Sequence, residues 1–150
     1  ELSDETGKQG TLKHVQGEVE FDHVRFSYPD SPDKAKIETF DNAYPQRNYV
    51  ITFDCPEYSS LCPVTNQPDY GHITVRYIAD KKCIESKALK LYLFSFRNFN
   101  TFHEESVNRI LTDLVKACRP RWMEVTGDFM PRGGIAIHVR AEEGDSSLVK

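Results

Sequence analysis

The strongest periodicity in the chain lies between residues 103 and 118. Val107, Ile110, Leu111, Leu114, Val115 and Cys118 fall at i, i+3, i+4, i+7, i+8 and i+11, one apolar face of a helix. Thr101 and Glu104 have the spacing of a capping box at its start, and Pro120 stops it. Just before it, ESKALKLYLFSFRN (85–98) predicts a second helix. The apolar residues of that segment cover more than one stripe, so it is expected to be buried on two sides or to meet another subunit. Alternation marks the strands. NYVITFD (48–54) and GHITVRYIA (71–79) both fit, the latter with Ile73, Val75 and Tyr77 on one face. WMEVTGDF (122–129) and GGIAIHVRA (133–141) form a pair joined by a turn at MPRGG. Residues 17–28 place Val19, Phe21, Val24 and Phe26 in near alternation and predict a further strand, which PDSPDKAK then breaks. Residues 1–16 are polar and aperiodic and read as a mobile tail. Two antiparallel strand pairs flanking two consecutive helices predict an α+β layer, with an antiparallel sheet carrying both helices on one face.

Composition narrows the function. The 150 residues suit one domain, and 39% hydrophobic with 28% charged residues permits a packed core. A net charge of −4 argues against a general nucleic-acid binder. No apolar run approaches the roughly 20 residues of a membrane span, and no signal peptide opens the chain. Cysteines at 55, 62, 83 and 118 form no CxxC pair and have no finger-like histidine spacing. A reduced, cytoplasmic setting is expected, and no metal.

The chemistry-bearing residues cluster. CPEYSSLCPVTNQPDY (55–70) holds two cysteines and three prolines and reads as neither a long helix nor a long strand. A cysteine attacks as thiolate, and such a segment can display one at Cys62. Asp69, seven residues on, can act as a general acid if burial raises its pKa. The competing reading is a structural corner, since most free cysteines are small buried hydrophobes. His103 and Glu104 begin the 103–118 helix. Glu104 either completes the cap or accepts two parallel hydrogen bonds from the N–H and NH₂ edge of a guanine-like ring. Lys81, Lys82, Lys87, Lys90 and Arg97 face a single acid, Glu85, over 81–97. That run is either a solvated helix face or a site for phosphates, with Arg132 of PRGG a second cation. No GxGxxG follows a strand, so a Rossmann cofactor site is excluded.

SLCPVTNQPDY, ESKALKLYLFSFRN, FHEESVN and PRGGIAI, in that order and spacing, resemble the 7-cyano-7-deazaguanine reductases, nitrile reductases of the queuosine pathway. The single-module type is the nearer match, over roughly residues 37–141. ESKALKLY resembles the motif that marks the reductases within their superfamily. The resemblance implies the tunnelling fold (T-fold), a ring oligomer built as a decamer of two stacked pentamers, and active sites between subunits. It also implies that Cys62 is the nucleophile that forms a thioimide with the nitrile carbon, and that Asp69 is the general acid. His103 and Glu104 would bind the substrate. Glu85, Ser86 and Lys87 match a segment tied to NADPH, with Glu85 and Ser86 also near the substrate; the charge reading adds Lys90 and Arg132 as cofactor phosphate contacts.

The family usually has Gly where this chain has Asn66, a residue that tolerates the left-handed conformation. Residues 1–36 read as a divergent or flexible extension and 142–150 as a flexible tail. GEVEFDHVRFSYPD resembles the opening strand of an ATP-binding cassette domain, but no GxxxxGK[ST] loop accompanies it. The alternative function is an amidinotransferase-type enzyme acting on the same nitrile carried in tRNA, without NADPH. The acidic charge speaks against that substrate. A non-catalytic ring-former is disfavoured by the joint presence of Cys62, Asp69, His103 and Glu104. The zinc-dependent cyclohydrolases of this fold class use a Cys/His set that is not spaced here.

Overall fold

The computed structural model describes residues 27–149. The tail over 1–16 and the strand expected over 17–28 lie outside the described residues, apart from Ser27 and Tyr28. The described elements are β1 (Thr39–Asp41), β2 (Ile51–Leu61), β3 (Pro68–Ile78), β4 (Lys82–Ile84), α1 (Ser86–Phe94), α2 (His103–Cys118), β5 (Trp122–Arg132) and β6 (Ile135–Gly144). The main sheet runs β2-β3-β5-β6 and every neighbouring pair is antiparallel. β1 and β4 form a small second sheet that no alternation in the sequence announced. The α+β reading holds, with both helices against the sheet's apolar face.

That face is continuous. Ile73, Val75 and Tyr77 of β3 and Met123, Val125 and Phe129 of β5 are buried against Leu89, Tyr92 and Leu93 of α1 and Val107, Ile110, Leu111 and Leu114 of α2. The helix expected over 103–118 appears with those bounds because its apolar stripe has only one face to bury. The opposite face of the sheet carries ion pairs. Asp54 meets His72, Asp128 meets His138 at 2.6 Å, and Glu124 sits between Arg76 at 3.2 Å and Arg140 at 2.6 Å.

Several expected boundaries move. The segment 55–70 was expected to be irregular, but β2 runs through Leu61 and β3 begins at Pro68, leaving only Cys62–Gln67 as loop. Pro56 is tolerated because the pairing register shifts between Cys55 and Tyr58, a bulge that removes the need for its missing N–H. The bulge also changes which residues point inward. Ile51, Phe53 and Cys55 face the helices before it, and Tyr58 and Ser60 after it. The helix expected over 85–98 is α1 followed by a 3-10 turn, Ser95–Asn98. The expected capping box does not form: Phe102 occupies the cap position, and the Thr101 hydroxyl bonds the Phe102 carbonyl. At the C-terminal end, pairing of Trp122 with Gly144 carries β6 past 141, so the tail expected from 142 is strand to 144 and a 3-10 turn at Ser146–Leu148. Upstream, Pro32 is buried, Asp33 pairs with Arg109, and Arg97 donates to the Pro29 carbonyl at 2.9 Å.

Two glycines make one contact possible. A Cβ at Gly71 would stand 2.8 Å from Cδ1 of Phe129, and one at Gly127 would stand 2.7 Å from Cγ2 of Val107 and 2.8 Å from Cε2 of Phe129. Phe129 therefore lies flat over the β3–β5 seam, under α2. Val107 and Phe129 are both buried and have no room to give way. Gly127→Ala is expected to cost about 1–3 kcal/mol of stability by overpacking, read as a lower midpoint in urea with an unchanged slope.

Candidate active site

The site is assembled by stitching the start of α2 to the end of β2. Leu61 N–H donates to the Phe99 carbonyl at 3.0 Å, and Thr101 N–H donates to the Leu61 carbonyl at 3.0 Å. Asn100 between them donates through Nδ2 to Oδ1 of Asn66 at 2.9 Å and to the Cys62 carbonyl at 3.3 Å. His103 and Glu104 are thereby delivered beside the loop that carries Cys62. The loop closes on itself: Cys62 N–H donates to the Gln67 carbonyl at 2.9 Å and Asn66 N–H to the Cys62 carbonyl at 2.8 Å. Asn66 has φ of 57°, the left-handed conformation its side chain tolerates.

The four cysteines are free thiols. The Cys62 thiol is held below its usual range, chiefly by the Thr65 hydroxyl, then by the backbone N–H groups of Thr65 and Val64; the charge of Asp69 acts in the opposite sense. Burial, with the Asp54 charge second, pushes Cys55 up, and burial pushes Cys118 up to about 12. Thiolate character thus falls where a nucleophile is expected and not at those two.

Asp69 is 5% exposed and lies directly across from Ser60 in the β2–β3 ladder. Arg132 Nε stands 2.9 Å from its Oδ1, and His103 Nε2 stands 3.9 Å from the same atom. Arg132 also donates to the Pro68 carbonyl. The His103 ring stacks on Phe129 with centroids 3.9 Å apart and 18° between planes. Glu104 follows in the first turn of α2, exposed. With no capping box, its carboxylate is spared the structural duty that competed with ligand binding.

The structure thus brings Cys62, Asp69, His103 and Glu104 to one end of the sheet, and adds Arg132. The charge pattern had grouped Arg132 with Lys90 as a phosphate contact; its position on Asp69 places it with the acid instead. Glu85, Ser86, Lys87 and Lys90 lie elsewhere, at the start of α1. Glu85 is the helix cap, accepting from Lys87 N–H at 2.9 Å and Ala88 N–H at 2.7 Å, bonds that hold its carboxyl below the usual range. Ser86 and Lys90 line a groove of about 330 Å³ between α1 and the β2 bulge, with Phe53, Cys55, Leu89, Leu93 and Phe94. None of Cys62, Asp69, His103 and Glu104 lines it. The basic run is also partly committed: Lys82 pairs with Asp41 at 2.6 Å, and Arg97 lies over the Phe94 ring at 4.1 Å.

Sequence reasoning missed Asn100, Phe129 and the Arg132–Asp69 pair. All three act through contacts between residues far apart in the chain, and no local pattern encodes them.

The family model described as QueF-like protein matches residues 68–147. A protein of Bacteroides thetaiotaomicron named NADPH-dependent 7-cyano-7-deazaguanine reductase is 55% identical over 108 residues, covering 72% of each chain. A Neisseria gonorrhoeae protein of the same name is 47% identical over 132 residues, 88% of this chain and 84% of that one. Among solved structures, the apo crystal structure of the archaeosine synthase QueF-Like matches with a TM-score of 0.60. It is 24% identical and covers 64% of this chain and 94% of its own, a likeness of fold.

The activation of Cys62 can be tested without substrate. Thr65→Val deletes the hydroxyl that contributes most to lowering its pKa, so the thiol is expected to titrate at higher pH. Alkylation of Cys62 by iodoacetamide, followed against pH by mass spectrometry, should shift its midpoint upward and slow at neutral pH. An unchanged midpoint would show that the loop's hydroxyl does not activate the thiol.

Proposed function

The chain belongs to the QueF family of 7-cyano-7-deazaguanine reductases, and we propose that its chemistry runs through Cys62 and Asp69. The protein reduces the nitrile of 7-cyano-7-deazaguanine to the primary amine of 7-aminomethyl-7-deazaguanine with NADPH, a step in making the tRNA base queuosine. The observation that carries the residue assignment is the loop: a thiol lowered by its own hydrogen bonds, with a buried carboxylate and an imidazole beside it.

In this reading the Cys62 thiolate adds to the nitrile carbon, forming a C–S bond as the C≡N becomes C=N. Asp69 takes up the proton that the Cys62 thiol gives up and delivers it to the nitrogen, which yields the neutral thioimide. Arg132 holds the Asp69 carboxylate in place, with His103 Nε2 3.9 Å from the same oxygen. Glu104, unencumbered at the helix start, accepts from the N–H and NH₂ edge of the deazaguanine ring. His103, fixed by its stack on Phe129, contributes a second contact to that ring. When bound, two NADPH would supply one hydride each; after the first, the C–S bond to Cys62 breaks to leave an imine, and the second hydride takes the imine to the amine.

The groove beside α1 fits part of that cofactor. Leu89, Leu93, Phe53 and Phe94 offer an apolar wall to a flat ring, and Lys90 and Ser86 offer a cation and a hydroxyl to phosphate. Lys87, on the exposed face of the same turn, is the further candidate. Glu85 serves this end by capping the helix that presents them.

Within one subunit the groove and the thiol are separate. This separation supports a ring in which one subunit's groove faces the next subunit's Cys62. The sheet's edges argue the same way. β2 and β6 are 11 and 10 residues long, and both lack an outer partner strand among the described residues. Long open edges invite pairing with another copy. The assembly we propose is the decamer of two stacked pentamers, with residues 37–144 as the ring-forming domain. Light scattering that returned a monomer would remove it. Four free thiols, one of them the nucleophile, suit the reducing cytoplasm. No helix among the described residues is long and apolar enough to cross a membrane.

The deciding assay follows loss of NADPH absorbance with 7-cyano-7-deazaguanine, together with the mass of the protein mixed with the nitrile alone. Cys62→Ala is expected to lose turnover and the adduct while still binding the nitrile, and Cys55→Ala to keep both nearly intact. A dead Cys55→Ala with an active Cys62→Ala would refute the assignment. An adduct without NADPH consumption would indicate transfer chemistry in place of reduction.

A further inference from the structure

Behind the site lie three buried polar atoms that the mechanism does not use. The Tyr58 hydroxyl, the Ser60 Oγ and the His103 Nδ1 are shut off from solvent, and none has a hydrogen-bond partner of acceptable geometry among the described residues. Tyr58 is 3% exposed and Ser60 0%. Buried polar groups are nearly always hydrogen-bonded, so three orphans in one region require a cause.

They do share one region. The β2 bulge turns Tyr58 and Ser60 toward the helices, and Ser60 sits across from Asp69. His103 Nε2 is 3.9 Å from that carboxylate. Tyr58 and His103 rest on the same ring, Tyr58 meeting Phe129 edge-on at 6.2 Å and His103 stacking on it at 3.9 Å. The Ser60 and Ser106 hydroxyls lie beside the Tyr58 oxygen. Ser106 donates its hydroxyl hydrogen to the His103 carbonyl at 2.9 Å, so toward the Tyr58 oxygen it can act only as an acceptor.

We propose that a buried water joins the Tyr58 hydroxyl, Ser60 Oγ and His103 Nδ1, and that through it Tyr58 and Ser60 act as positioning residues for the His103 imidazole. A buried water needs two to four polar partners, and the three orphans supply them. A neutral imidazole has one donor and one acceptor nitrogen, and the partner of one nitrogen settles the role of the other. A bond at Nδ1 therefore fixes both the tautomer and the direction in which Nε2 points, on the side where Asp69 lies 3.9 Å away. A dry core would be served as well by Phe and Ala at these positions. The hydroxyls sit there because the imidazole must be held from behind.

This inference rests on the placement of His103 in the working site. It is tested with Tyr58→Phe, Ser60→Ala and the double variant in the full chain, measuring kcat, KM for the nitrile and melting temperature. Each single change is expected to lower kcat about tenfold, the scale of losing an outer partner of a working histidine, with little change in KM or in melting temperature. The double variant should lose no more than either single, because a water left with two partners no longer fixes the direction of Nδ1 and loss of the second hydroxyl removes nothing further. A Tyr58→Phe enzyme with wild-type kcat and a raised melting temperature would overturn the proposal, since that is what removing an unpaired hydroxyl from a dry core does. Losses that add would overturn it too. Should the variants not fold, a crystal structure of the unaltered protein decides: a density peak bonded to all three atoms supports the bridge, and an empty space refutes it. An unaltered enzyme inert toward the nitrile would instead count against the function proposed above, with the density still deciding the bridge.

Discussion

Phe129 lies flat across the seam between β3 and β5, and Gly71 and Gly127 permit it by leaving no side chain in the way. A ring laid on the backbone in this manner buries its area against the sheet and presents its other face to the helix layer. His103 takes that face. Because His103 is the first residue of α2, the stack fixes where the helix begins as well as where the imidazole lies. Tyr58 closes the same ring edge-on, and Gly71, its ladder partner, makes the room. One aromatic contact thus couples three strands, a helix start and a site histidine.

Much of the scaffold was legible because its signals are periodic. The stripe from Val107 to Cys118 has one solution, a helix packed on one side, and it emerged with the expected bounds. Ile73, Val75 and Tyr77 have one solution as well, and all three are fully buried. The segment 55–70 failed because prolines were read as breakers. Pro56 falls in a bulge and Pro68 at the first position of a strand, two places where a missing N–H costs little. The capping box failed for a different reason. The Thr101 backbone is already bound to Leu61, and that bond draws the helix start one residue past the position its side chain would need.

The site was legible in its members and not in its wiring. Cys62, Asp69, His103 and Glu104 were named by resemblance and arrive together, carried by the Leu61–Thr101 stitch that no local pattern shows. Charge alone misled at Arg132. Counted as a cation it belongs with Lys90, yet the Gly133–Gly134 turn, with φ of 57° and 78°, sets it at the end of the β5–β6 hairpin, on Asp69. Glu85, matched by resemblance to the cofactor segment, also serves as a cap that no charge count shows: a carboxylate one residue before a helix meets the unpaired N–H groups there.

The geometry also explains why the nucleophile needs a loop of its own. Asp69 must be near Cys62 for both to act on one nitrile, but its negative charge raises the thiol's pKa and so opposes the thiolate. The loop answers with donors drawn from within itself, the Thr65 hydroxyl and the N–H groups of Thr65 and Val64. Arg132 answers from outside by setting its guanidinium 2.9 Å from the offending oxygen. A strand could not provide the first remedy, because its N–H groups are spoken for by neighbouring strands. A helix N-terminus could, but α2 already has its own start placed by His103. Six residues between two paired strands, closed by Asn66 in the left-handed conformation, free N–H groups to turn toward one sulfur while the strands on either side hold the acid in reach.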